Sequence, residues 1–126
     1  MPSISITYSP NLHGEFDAQK LADSLAGCAV DLGVFPLWGI RVFVIQAEAS
    51  SVSDGSSQHG YVQVAVRIAP GRSPELQAEI TESLFAVLET ELAGVKGRKI
   101  GFAIDLEEFK RQTYRSGGSL PGSPTA

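Results

Sequence analysis

The residue types that most often carry enzyme chemistry are sparse in this sequence and do not form the usual site patterns. His13 and His59 are the only histidines, and no cysteine lies near either of them. Cys28 is the single cysteine, so it can form no internal disulfide and supplies no cysteine-based metal framework. Neither a Gly-rich phosphate loop nor a Gly-x-Ser-x-Gly elbow occurs. We therefore expect no bound metal and no cofactor.

The beginning of the chain offers a different chemistry. Pro2 follows Met1, and we expect Met1 to be removed because the residue after it is small. Pro2 would then carry a free secondary amine, which can both accept and donate a proton. Many chains begin with Met-Pro for reasons unrelated to catalysis, so this feature by itself does not predict an enzyme.

The order strand, helix, strand occurs twice along the chain. In the first copy, residues 3–8 alternate between polar and apolar, residues 15–32 carry an apolar stripe at helical spacing that stops at Gly33, and residues 39–47 are mostly apolar. In the second copy, residues 61–68 alternate, Ser73-Pro74-Glu75 is typical of a helix start, and residues 99–106 alternate again. The two copies, residues 2–47 and 61–107, each fit a right-handed βαβ unit.

This repeat predicts an α/β (α+β) fold in which a four-stranded sheet carries two helices on one face, within a single domain of residues 1–110. The opposite face would show small and semi-polar side chains, while the apolar residues 42–45 need cover on both sides. We therefore expect a homo-oligomer. Residues 111–126 contain many Gly, Ser and Pro residues, and we expect them to form a disordered C-terminal tail.

Composition excludes several classes of function. The 126 residues include 10 Lys and Arg against 14 Asp and Glu, so no basic surplus favours a nucleic-acid partner. No apolar run approaches the roughly 20 residues of a membrane span, and residues 1–11 lack the hydrophobic core of a signal peptide. We expect a cytoplasmic protein that binds neither nucleic acid nor membrane.

Several specific segments occur in order along the chain. Pro2 opens a strand that leads into Tyr-Ser-Pro-Asn-Leu at residues 8–12, residues 33–41 read Gly-Val-Phe-Pro-Leu-Trp-Gly-Ile-Arg, and residues 71–73 read Gly-Arg-Ser. Together they resemble the 5-carboxymethyl-2-hydroxymuconate delta-isomerase family of the tautomerase superfamily, from Pro2 to about residue 108. The resemblance implies a tautomerase-like homotrimer built from the repeated βαβ units.

The resemblance also implies a set of roles in an isomerase of this type. Pro2 would be the catalytic acid and base, and Arg41 and Arg72 would bind the carboxylates of a small unsaturated 2-hydroxydienoic acid. Guanidinium groups suit carboxylates because they can donate two parallel hydrogen bonds. Burial and the two neighbouring cations would lower the pKa of the proline amine toward neutrality, where it can move protons in both directions.

Two alternatives remain open at this point. Another reaction on the same scaffold, such as enol-keto tautomerisation or dehalogenation, would use the proline and the arginines in similar roles. A non-catalytic trimeric binding module would use Pro2 only to begin a strand and the arginines only to hold subunits together. Arg67 lies on an alternating strand, and we expect it to form an ion pair between subunits.

Overall fold

The computed structural model describes residues 2–124, which form a sheet of four strands and two long helices. The strands are β1 (Ser3–Tyr8), β2 (Arg41–Gln46), β3 (His59–Ile68) and β4 (Lys99–Glu108), and the helices are α1 (Ala18–Asp31) and α2 (Pro74–Leu92). Short 3-10 helices cover Pro10–Leu12, Leu37–Gly39 and Arg111–Thr113. The predicted order of strand, helix, strand in two copies is confirmed.

The strands lie in the order β2-β1-β3-β4. β1 and β2 are parallel with Ser3 opposite Arg41, β3 is antiparallel to β1, and β3 and β4 are parallel. β1 and β2 therefore begin at one end of the sheet, and β3 and β4 finish at that same end. We call this edge the Pro2 end, and the opposite edge, where β3 and β4 begin, the His59 end.

Side-chain caps set the starts of both helices. The Asp17 carboxylate accepts a hydrogen bond of 3.0 Å from the Lys20 backbone N–H, so α1 begins after residue 17 rather than at residue 15 as the apolar stripe predicted. The Ser73 hydroxyl accepts from the Leu76 N–H at 3.1 Å and begins α2 as expected. Gly33 follows α1 with a φ of 71°, the left-handed conformation that glycine tolerates after a helix.

One face of the sheet forms the core with the two helices. Its alternating side chains are buried against apolar residues of α1 and α2, and the central members are Ile4, Ile6, Val62, Val64, Val66, Leu21, Leu25, Ile80, Leu84 and Leu88. The other face is uncovered within the chain. On that face Phe43 is 57% exposed and Ile45 is 51% exposed, so β2 is covered on one side only. The sequence also predicts cover for this exposed face of β2, which would have to come from another chain.

The segment after β4 differs in part from the predicted disordered tail. Arg111–Thr113 form a 3-10 helix, and the Tyr114 ring stacks on Phe109 with centroids 3.8 Å apart. The Phe109–Tyr114 stack holds this short segment, and residue composition gives no sign of such a contact. Residues 115–124 contain no helix or strand. For them disorder stays a prediction, and residues 125 and 126 lie outside the described residues.

No helix within residues 2–124 is both long enough and apolar enough to cross a lipid bilayer.

Candidate active site

Pro2 lies at the sheet edge where the other two predicted site residues also lie. Its side chain is fully buried, and its carbonyl accepts a hydrogen bond of 3.3 Å from the Arg41 backbone N–H. This contact follows from the parallel register, because Ser3 pairs with Arg41 at the start of both strands. The predicted removal of Met1 concerns a residue outside the described range.

The Arg41 guanidinium is held by two neighbours at the Pro2 end. Its Nη1 donates to the Gly39 carbonyl at 2.8 Å, and its Nη2 donates to the Tyr114 hydroxyl oxygen at 3.4 Å. Gly39 is the last residue of the short 3-10 helix that immediately precedes β2. Arg41 as a whole is half-buried.

The Arg72 guanidinium bridges the loop after β3 to the loop after α1. Its Nη1 donates to the Ala69 carbonyl at 3.2 Å, and its Nη2 donates to the Val34 carbonyl at 2.7 Å. The guanidinium carbon also lies 4.8 Å from the centre of the Phe35 ring, within the range of a cation-π interaction. The backbone of Arg72 is fixed as well, because the Gln77 side-chain amide donates to its carbonyl at 2.9 Å.

These contacts leave hydrogen-bonding capacity for an anion. A guanidinium has five N–H donors, and each of these two side chains uses two atoms on the partners just described. Two oriented cations at one sheet edge can bind a ligand that carries separated carboxylates. Beside them the buried Pro2 supplies the only secondary amine that removal of Met1 would create. The Pro2 end thus holds two guanidinium groups and the proline whose amine removal of Met1 would free.

His59 lies at the opposite end of the sheet. β3 runs from His59 to Ile68, and ten extended residues separate its two ends by about 30 Å. The His59 Nδ1 lies 2.9 Å from the Asp54 carboxylate. The pKa of Asp54 is held below its ordinary value, first by the Ser56 backbone N–H that it accepts and then by His59. His59 therefore contacts the loop before β3 and does not reach Pro2 of the same chain.

Cys28 lines the groove between α1 and α2, which contains none of the three predicted site residues. Burial and the nearby Asp31 carboxylate raise the pKa of the Cys28 thiol, which disfavours the reactive thiolate. Within residues 2–124, no three His, Cys, Asp or Glu side chains are grouped as a metal would require. The groove that Cys28 lines has a volume of about 620 Å³.

A family model for 5-carboxymethyl-2-hydroxymuconate isomerase matches residues 2–118, which include β1 through β4 and every residue at the Pro2 end described above. The chain belongs to this family. Its members are isomerases, and the four-stranded sheet with two helices is the tautomerase fold.

Three known proteins show how far the similarity extends. The 5-carboxymethyl-2-hydroxymuconate Delta-isomerase of Escherichia coli is 28% identical over 110 residues, which is 86% of this chain and 87% of that protein. A crystal structure of a 5-carboxymethyl-2-hydroxymuconate delta-isomerase superposes with a TM-score of 0.87 at 24% identity, covering 94% of this chain and 89% of the other. A fused 4-OT wild-type symmetric trimer gives a TM-score of 0.68 at 19% identity, covering 98% and 94%. At these identities the two solved structures show the fold.

Within this isomerase fold, the structure brings together residues that the sequence analysis named and adds two that it missed. Pro2, Arg41 and Arg72 share one sheet end. Arg67 lies at the same end, opposite Ser3, but is exposed on the uncovered face. No ion pair of Arg67 occurs among residues 2–124, and the ion pair between subunits stays a prediction. The contacts of Phe35 and Tyr114 with the two arginines were not predicted. Tyr114 is 73 residues away from Arg41, and no local pattern signals such a contact.

Proposed function

We propose that this protein is a cofactor-independent isomerase that moves a proton and a double bond in a small unsaturated 2-hydroxydienoic acid. Pro2 is the acid and base, and Arg41 and Arg72 bind carboxylates of the substrate. The observation that carries the proposal is the position of a buried Pro2 beside Arg41 at the sheet end that also holds Arg72, in a chain of this isomerase family.

The reaction needs one group that exchanges a proton. The amine of Pro2 takes the proton from the hydroxyl on C2, and the electron pair left on that oxygen forms the carbonyl and pushes the conjugated electrons toward the far carbon of the diene. The same proton returns to the far carbon of the diene. One O–H bond and one carbon-carbon double bond are lost, while one C–H bond and one carbonyl are formed. The balance requires no oxidant, reductant or water, so one amine is sufficient.

The class of substrate is inferred from the two positive charges at the Pro2 end. A 5-carboxymethyl-2-hydroxymuconate has a carboxylate at each end of its chain and a third on its branch. The two guanidinium groups of Arg41 and Arg72 suit two of these carboxylates, and each keeps unused donors for that purpose. Negative charge grows on the conjugated acid as the hydroxyl proton leaves. The same cations therefore stabilise the transition state as well as the bound substrate.

We also propose that the protein assembles as a homotrimer. The sheet face opposite the helices is uncovered and carries exposed Phe43, Ile45 and Tyr61. Large exposed side chains on one sheet face favour an interface, and a solved relative of the same fold is a symmetric trimer. Sedimentation should give a trimer, and Phe43→Glu should weaken it. A stable monomer at micromolar concentration would contradict this part of the proposal.

The decisive experiment compares two preparations of the same chain. One has a free Pro2 amine, confirmed by intact mass, and the other carries a short tag that places Pro2 in an amide bond. An amide nitrogen has no basic lone pair, so kcat/KM of the tagged form should be lower by about 10²- to 10⁴-fold. Turnover is followed as the loss of the dienol ultraviolet absorbance of 5-carboxymethyl-2-hydroxymuconate and of shorter 2-hydroxydienoates.

Two controls make the comparison specific. Both preparations must show the same oligomer size and melting temperature, because the tag should not disturb the core. Pro2→Ala with a free terminus keeps an amine but loses the ring, and its activity should lie between those of the two forms. Equal turnover with free and blocked Pro2 would eliminate the proposed mechanism.

A further inference from the structure

We propose that Tyr114 is a positioning residue that holds the guanidinium of Arg41 in its substrate-binding orientation. This inference rests on the proposed function, since it assumes that Arg41 binds a carboxylate. It concerns a residue outside the two βαβ repeats, in the segment that follows β4.

Tyr114 is fixed at the Pro2 end by an aromatic stack. Its ring lies on the ring of Phe109, with centroids 3.8 Å apart and planes 12° from parallel. Phe109 is only 7% exposed, and its backbone N–H donates to the Ile68 carbonyl at 3.0 Å. The stack therefore extends from the end of β3, a strand whose alternate side chains lie in the core.

The backbone on the other side of Tyr114 is also held. The Tyr114 N–H donates to the Arg111 carbonyl at 3.3 Å, which closes the short 3-10 helix. The side chain of Arg111 in turn donates to the Pro70 carbonyl at 3.2 Å, in the loop after β3. Two separate contacts with the β3 end thus place the Tyr114 hydroxyl where Arg41 reaches it.

The contact between Tyr114 and Arg41 sets the orientation of the Arg41 guanidinium plane. Gly39 holds Nη1 at 2.8 Å, and a guanidinium with one fixed nitrogen can still rotate about that bond. The Tyr114 hydroxyl oxygen accepts from Nη2 at 3.4 Å and so fixes the plane of the group. Bidentate binding of a carboxylate requires that plane to be correctly oriented. Loss of the hydroxyl should therefore weaken substrate binding while the aromatic stack remains.

The experiment is a double-mutant cycle with Tyr114→Phe and Arg41→Ala, measured with 5-carboxymethyl-2-hydroxymuconate. Tyr114→Phe keeps the ring on Phe109 and removes only the hydroxyl. In the otherwise unchanged protein it should raise KM by about 2- to 10-fold, less than a short charge-assisted hydrogen bond would give because the contact is long, with kcat nearly unchanged. In the Arg41→Ala background the same change should have little further effect.

The control is Gln112→Ala, an exposed residue of the same 3-10 helix, which should leave KM unchanged. Melting temperatures of all variants verify that the fold is retained. An unchanged KM in Tyr114→Phe, or an equal rise with and without Arg41, would overturn the positioning role. If Arg41→Ala itself leaves kcat/KM unchanged, the failure lies in the proposed function, and the two failures are thereby distinguished.

Discussion

Arginine side chains hold loops together at both ends of the sheet, but the residue proposed as the acid and base, Pro2, lies at one of them. At the His59 end, Arg98 donates to the carbonyls of Asn11 at 2.7 Å and Ser57 at 3.3 Å. At the Pro2 end, Arg72 donates to the carbonyls of Val34 and Ala69 in a closely similar manner. Hydrogen bonding to the backbone therefore does not by itself distinguish a structural arginine from one that binds substrate.

Arg98 and Arg72 differ in which other functional groups lie near them. Around Arg98, the Asn11 side chain also donates to the carbonyls of Ser57 and His59, so a closed network joins the loops. Around Arg72, the loops lie at the sheet end that also holds a second cation, Arg41, and the buried Pro2. The comparison predicts that changes at the His59 end lower stability, whereas changes at the Pro2 end lower activity.

The largest effect that tests this comparison is expected from the two matched arginines. Arg72→Ala should lower kcat/KM by roughly 10- to 150-fold, which corresponds to about 1.5 to 3 kcal/mol for a charge-assisted hydrogen bond. Arg98→Ala should lower the melting temperature and leave kcat/KM of the folded protein unchanged. Steady-state kinetics and thermal unfolding of both variants provide the measurement. A large activity loss in Arg98→Ala, or none in Arg72→Ala, would break the division between the two ends.

The sequence contained much of the fold because its patterns are local. Alternation in residues 3–8 and 61–68 and the cap at Ser73 depend on neighbours a few residues apart, and the structure confirms these elements. Arg41 and Arg72 were found through sequence segments characteristic of a family. The Tyr114 contact could not be found in either way, because it depends on how the chain after β4 returns to the start of β2. The start of α1 was misplaced because the cap at Asp17 competes with the apolar stripe.

The second prediction concerns packing at the His59 end. A Cβ atom at Gly60 would lie 2.6 to 3.0 Å from three side-chain atoms of Leu12, which is completely buried. Gly60→Ala should therefore destabilise the fold by about 1 to 3 kcal/mol, as other overpacked sites do. Chemical unfolding at fixed protein concentration measures the change. kcat/KM of the folded fraction should not change, because the Pro2 end is about 30 Å away along β3.

Gly27 provides the matched control for this substitution. It lies within α1, and a Cβ atom there would meet nothing within 4 Å. Gly27→Ala should stabilise the protein by about 0.5 to 1 kcal/mol, because alanine loses less conformational freedom in a helix than glycine. If both variants were destabilised equally, the contact with Leu12 would not be the cause.

A smaller effect is expected from the aromatic ring beneath Arg72. Phe35→Leu keeps an apolar side chain but removes the ring face that lies 4.8 Å from the guanidinium carbon. The orientation of Arg72 should loosen, and KM should rise by an amount equivalent to about 0.5 to 2 kcal/mol. Phe16→Leu removes a ring that contacts Tyr8 edge-on instead, and it should alter the melting temperature without altering KM. The reverse pattern would assign Phe35 to packing alone.

The smallest effect is expected at Asp54, in the loop before β3. Its carboxylate accepts from the Ser56 N–H at 3.0 Å and lies 2.9 Å from His59 Nδ1, and these contacts hold its pKa below the ordinary value of 3.8. A carboxyl group whose pKa is lowered by folding stabilises the folded state when ionised, and this stabilisation is lost as the pH falls through the folded-state pKa. Asp54→Asn should therefore lower the melting temperature slightly and constantly above about pH 5, and the difference should shrink toward zero in stronger acid. Because the Ser56 N–H is the largest single cause of the lowered pKa, part of the difference should persist in a His59→Gln background. A difference that grows on acidification would show that the loop is held by something other than the ionised carboxylate. In either case kcat/KM should stay the same, since the loop lies at the His59 end, about 30 Å along β3 from the proposed catalytic residue.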